Sequence, residues 1–183
     1  MSLKIIYLKD VVYAANDGIV TTFAVVAGVA GAGLSPQIVL ILGTANLLAD
    51  GFSMAVSDYL GTKSEEEEEE YFARDENSGD NAKNYNLHPI TKTTPRGAAA
   101  VTFVSFIAAG VLPVTPYIVL GSEGGAFGAS VWATAVSLFV IGSLRTIATH
   151  KNWFWSGFEM LLIGGIAAII AYTTGAIIGG IVA

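Results

Sequence analysis

The sequence predicts an all-α membrane protein of five transmembrane helices, with its N-terminus in the cytoplasm and its C-terminus outside. Three observations carry this. Apolar residues make up 53% of the 183-residue chain and charged residues only 13%, a ratio that an oily soluble domain could also show. The charge is segregated, however: six Glu form one run at 65–70, and long stretches elsewhere carry none. A soluble domain spreads charge along every surface helix, whereas apolar runs of roughly 18 residues or more can cross a hydrocarbon core of about 30 Å. Finally, all nine Lys and Arg sort to one side. Lys4 and Lys9 precede the first span; Lys63, Arg74, Lys83, Lys92 and Arg96 lie between the second and third; Arg145 and Lys151 flank the connection from fourth to fifth. By the positive-inside rule those segments are cytoplasmic.

The first span is read at about 11–33. Asn16 and Asp17 interrupt any short apolar signal segment, so it stays as a transmembrane helix. The second, at about 37–60, follows after three residues and forms a tight antiparallel pair with the first. Between 61 and 97 lies the sizeable cytoplasmic loop. Its first part, 63–76, lacks Gly and Pro and continues the second helix as a charged stalk, while 77–95 is rich in Asn, Thr, Gly and Pro and reads as irregular connection, with His88 solvated. The third span, 98–120, should kink or break in its outer third, because Pro113 and Pro116 each remove a backbone donor. The fourth and fifth, 127–149 and 157–182, are joined by a short connection across which Arg145 can pair with Glu159. Small residues line the first span (Ala24, Ala27, Gly28, Gly31) and the fifth (Gly164, Gly165, Gly175, Gly179). They allow close helix contact, within one chain or across a dimer. The functional division is therefore 1–60, 61–97 and 98–183.

Ionisable residues inside spans are expensive, and Asp17, Asp50 and Asp58 all fall in the first two helices. Asn46, Asp50, Met54 and Asp58 recur every four residues and so form one slowly drifting stripe. At a rise of about 1.5 Å per residue, Asp17 and Met54 both lie about 9 Å in from the cytoplasmic side, Asp50 about 15 Å and Asp58 about 3 Å. Carboxylates with a thioether at one level suit a divalent transition metal, because hard Mg²⁺ or Ca²⁺ gains little from sulfur. The Glu run is a solvated face or a cytosolic cation collector, with Glu65, Glu66, Glu68 and Glu69 as further metal-binding candidates. With zero Cys there is no thiolate site or redox couple. A net charge of −6 leaves no basic nucleic-acid footprint. No Ser-His-Asp set, Walker loop or HExxH occurs, which sets aside ATP-driven pumping and points away from an enzyme.

These residues resemble the vacuolar iron transporter family of Fe²⁺ and Mn²⁺ exporters. The matching segments are Asn16, Asp17 and Gly18 followed by the run from Thr21 to Gly28; Ser53 and Met54 with Asp58, Tyr59 and Leu60; Leu112 and Pro113 with Pro116 and Tyr117; and the run from Ser156 to Gly164. The resemblance implies a five-helix homodimer in the bilayer that moves Fe²⁺ or Mn²⁺ out of the cytosol in exchange for protons, with no permanently bound cofactor. It places the path at Asp17 and Met54. The host membrane is then the cell (plasma or inner) membrane, or a vacuolar-type membrane in a eukaryote. Two features depart from the family pattern. The carboxylate eight residues before the Met is Asn46 here, with Asp50 one turn further on in its stead. The long Glu-rich cytosolic domain is also absent; the Glu run with Asp75 and Glu76 is what stands in its place. Two rival readings are an uncoupled divalent-cation channel and a non-transporting membrane sensor or subunit.

Overall fold

The computed structural model describes residues 7–75, 93–121, 124–149 and 151–182. They form helices α1 (Leu8–Gly31), α2 (Pro36–Asp75), α3 (Pro95–Gly110), α4 (Thr115–Leu120), α5 (Ala126–Leu144), α6 (Thr146–Thr149) and α7 (Trp153–Val182). The described residues contain no strand. Four helices, α1, α2, α5 and α7, are long and apolar enough to cross a membrane, and the protein is an integral membrane protein.

The helix boundaries follow from local chemistry. α1 stops where Gly33 takes a left-handed φ of 67°, a conformation that costs glycine little. The Ala32 and Leu34 N–H groups then satisfy the Gly28 and Val29 carbonyls, at 3.0 and 3.1 Å. Pro36 opens α2, which runs 40 residues, about 60 Å, or twice the thickness of a hydrocarbon core. The surplus is the expected stalk, continuous through Asp75 and braced by the exposed i,i+4 pair Lys63–Glu67 at 3.5 Å. Glu76, His88 and most of the expected irregular connection lie outside the described residues. Thr94 caps α3 by accepting from the Gly97 N–H at 3.2 Å, with Pro95 in the first turn. At the other end of the chain, Asn152 Oδ1 accepts the Phe154 N–H at 3.0 Å, which starts α7 four residues before the expected 157.

The expected third span is discontinuous. α3 ends at Gly110, residues 111–114 form a turn, and α4 adds six residues with Pro116 in its first turn. Sixteen residues reach only about 24 Å, so the span read at 98–120 consists of two pieces, broken in its outer third at the expected prolines. The Pro113 carbonyl at the break accepts the hydroxyl of buried Ser130 on α5 at 2.5 Å, so this non-helical backbone is satisfied by protein. The expected fourth span likewise ends at Leu144 and is followed by the separate turn of α6. Arg145 Nη2 donates to Glu159 Oε2 at 2.8 Å, as the sequence suggested.

α1 is the central helix, packing against α2, α3, α5 and α7, and more extensively against α3 and α7 than against α2. Glycine explains that preference. A Cβ on Gly18 would come 2.5 Å from the Phe106 carbonyl oxygen, and one on Gly110 would come 2.8 Å from the Gly18 oxygen, so α1 and α3 touch backbone to backbone. Further along, a Cβ on Gly31 would collide with the Tyr172 carbonyl, and one on Gly175 with the Gly28 carbonyl. The small faces of the first and last helices thus meet each other within one chain. Large apolar side chains on the outside, among them Leu48, Phe52, Ile166 and Ile169, are more than half exposed, as a lipid-facing surface requires.

Candidate functional site

Three helices converge on an acidic cavity of about 320 Å³. α1 contributes Asp10, Tyr13 and Asp17, which share a face because they lie about one turn apart. α2 contributes Met54, Ser57 and Asp58, and α3 contributes Thr102. Met54 packs against the buried group of Ala14, Leu47 and Phe106, so its thioether sits on a rigid wall. Asp17 is half-buried, and its own carbonyl accepts the Thr21 hydroxyl at 2.9 Å. Asp58 is half-buried as well and accepts the hydroxyl of fully buried Thr102 at 2.5 Å.

Asp17 and Met54, which the sequence puts at one level, both line this one cavity, together with Asp58. Asp50 and Asn46 are half-buried on the same stripe of α2 but do not line it. Asp50 is nonetheless close enough for its charge to act on Asp17. The buried Nδ2 of Asn46 has no hydrogen-bond partner, which makes a hydratable group of it one turn beyond Asp50. At the other end of the stripe, Asp10 feels the charges of Asp58 and Glu65, partly offset by Lys9. Of the Glu run, Glu65 therefore adds its field to the mouth. Glu66 and Glu68 are exposed and Glu69 is half-buried, and none of the four lines the cavity.

This donor set is oxygen from carboxylate, hydroxyl and phenol, with one sulfur. Among the described residues no three acidic, His or Cys side chains converge to close a cage around an ion. A line of separated carboxylates is what a moving cation needs, since each holds it only until the next attracts it. Sequence reasoning missed Asp10, Tyr13, Ser57 and Thr102. Asp10 carried a signal, being seven residues before Asp17 and so on the same face; Thr102 carried none, being one hydroxyl in an apolar run.

Comparison with known proteins gives a consistent result. The model of the VIT family matches residues 8–88 and 71–176. Vacuolar iron transporter 1 of Arabidopsis thaliana is 27% identical over 208 residues, covering 90% of this chain and 83% of the relative. The vacuolar iron transporter of Toxoplasma gondii (strain ATCC 50861 / VEG) is 27% identical over 224 residues, covering 94% and 74%. That of Plasmodium berghei (strain Anka) is 23% identical, covering 94% and 82%.

Proposed function

The chain belongs to the VIT family, and from that premise we propose that it is a secondary transporter carrying Fe²⁺ or Mn²⁺ out of the cytosol in exchange for protons. The observation that supports this most strongly is the cavity where Asp17, Met54 and Asp58 line one space at the foot of α1 and α2. The names of its relatives support iron as cargo, and the thioether extends the range to Mn²⁺ and Co²⁺ over Mg²⁺.

The chain crosses the membrane five times, α3 and α4 together making the third crossing, with the N-terminus and the stalk in the cytosol. Residues 1–60 carry the path, 61–97 collect cations, and 98–183 support the path. The cation meets Asp10 and Asp58 at the mouth, passes Asp17 and Met54, and reaches Asp50. A charged carboxylate at that depth is costly without a cation beside it. An arriving divalent ion repays that cost and releases a proton, and a proton returning from the outer side helps eject the metal. The seam also favours a homodimer. Tyr13 is 67% exposed, Ser53 and Ser57 are exposed, and Asp17 and Asp50 are half-exposed on the surface of one chain. Lipid is a poor cover for such groups, and a second copy is a good one. The segregation of Lys and Arg supports a cytosolic N-terminus and stalk; the host is the cell membrane, or a vacuolar-type membrane in a eukaryote, with the metal leaving the cytosol.

The test is metal uptake into vesicles holding the purified protein. Asp17→Asn keeps the shape and removes the charge, so Mn²⁺ flux should fall at least about tenfold while helicity and elution volume stay unchanged. Full flux in the variant would remove Asp17 from the path.

A further inference from the structure

The side-chain hydroxyls of this protein's helices mostly bond back to their own backbone. Thr21, Ser57, Thr115, Ser137, Ser143 and Thr173 each donate to the carbonyl four residues earlier, at 2.7–2.9 Å. That is the local choice a helical Ser or Thr makes when nothing better is in reach. Thr102 does otherwise. Its side chain is 2% exposed, and its hydroxyl crosses from α3 to α2 to donate to Asp58 Oδ2 at 2.5 Å. Both residues line the acidic cavity together with Asp10, on which the charge of Asp58 acts.

We propose that Thr102 is a positioning residue for cation capture: its hydroxyl fixes the Asp58 carboxylate at the mouth, with one oxygen held by Thr102 and the other left to the cavity. The inference rests on the transport reading given above. A free carboxylate at the end of a helix turn samples several rotamers, and repulsion from Asp10 drives it away from the place where the two acids could share a cation. A hydrogen bond to a charged group offsets that repulsion, and it holds the geometry before the ion arrives, so less ordering is left to be done on binding. Thr102 has no need to touch the metal. It acts through Asp58, and its effect belongs to capture at the mouth, with the deeper steps at Asp17 and Asp50 left to those residues.

The experiment measures initial Mn²⁺ uptake against Mn²⁺ concentration in proteoliposomes. The proteins compared are the unsubstituted chain, Thr102→Val, Thr102→Ser, Asp58→Asn and the Thr102→Val/Asp58→Asn double variant. Valine keeps the shape and loses the donor; serine keeps the donor and loses a methyl. Thr102→Val should raise the apparent KM about tenfold with little change in maximal rate. Thr102→Ser should recover most of the affinity, and the double variant should match Asp58→Asn alone. A KM unchanged in Thr102→Val, a serine variant worse than the valine one, or losses that add in the double variant would each overturn the proposal, the last two in favour of packing. Absence of uptake by the unsubstituted protein would overturn the transport reading itself, and this inference with it.

Discussion

Met54 holds the one soft donor in an otherwise oxygen-lined cavity, and it does so from a packed position against Phe106 and Leu47. Met54→Leu conserves volume and apolarity, so the wall should stand while the sulfur is lost. Fe²⁺ and Co²⁺ uptake should then fall severalfold more than Mn²⁺ uptake, measured in parallel on one vesicle preparation. Equal losses for all three metals would mean that Met54 matters only as filler. At this scale the sequence was a good guide to side chains whose placement is odd for their chemistry. Asp17, Asp50 and Asp58 are acids within otherwise apolar stretches, and the four-residue spacing aligned Met54 with the last two. Thr102 was invisible for a physical reason. Its partner lies 44 residues away on another helix, and a buried Thr in an apolar run is ordinary until the helix across from it is known.

Among elements, the contact of α1 with α7 is made by glycine against backbone. A Cβ at Gly175 would meet the Gly28 carbonyl, whereas one at Gly180 would meet nothing within 4 Å. Gly175→Leu should therefore force the helices apart and destabilise the protein by about 1–3 kcal/mol, seen as a lower midpoint of thermal unfolding in detergent. Gly180→Leu, on the open side of the same helix, should leave the midpoint nearly unchanged. Equal effects at the two positions would deny the α1/α7 seam. The sequence pointed to small-residue faces on both helices but left open whether they meet within a chain or between chains, because spacing describes a face and not its partner. Proline was more informative: the break at 111–114 and its rescue by Ser130 lie where Pro113 and Pro116 predicted disruption. The Arg145–Glu159 pair was legible too, since a short connection leaves two opposite charges few other places to go.

For the whole molecule, the short connection between the first two helices makes them a tight antiparallel pair. They do pack together, yet α1 is seated more deeply against α3 and α7, because glycine lets backbones approach where a four-residue loop merely keeps ends close. That seating leaves the acidic stripe of α2 facing the foot of α1, with Asp50 further along it and close enough to act on Asp17. Asp50→Asn should accordingly let metal move downhill while removing the dependence of its movement on a pH gradient. An intact dependence would shift the coupling to Asp17 or Asp58. Exchange itself is read in vesicles that hold the unsubstituted protein and a trapped pH indicator, with metal and proton movements followed together. An exchanger gives Mn²⁺ uptake with proton efflux, faster when the vesicle interior is acidic and slowed when that gradient is collapsed. Metal uptake indifferent to the gradient and without proton movement would contradict it and describe a channel.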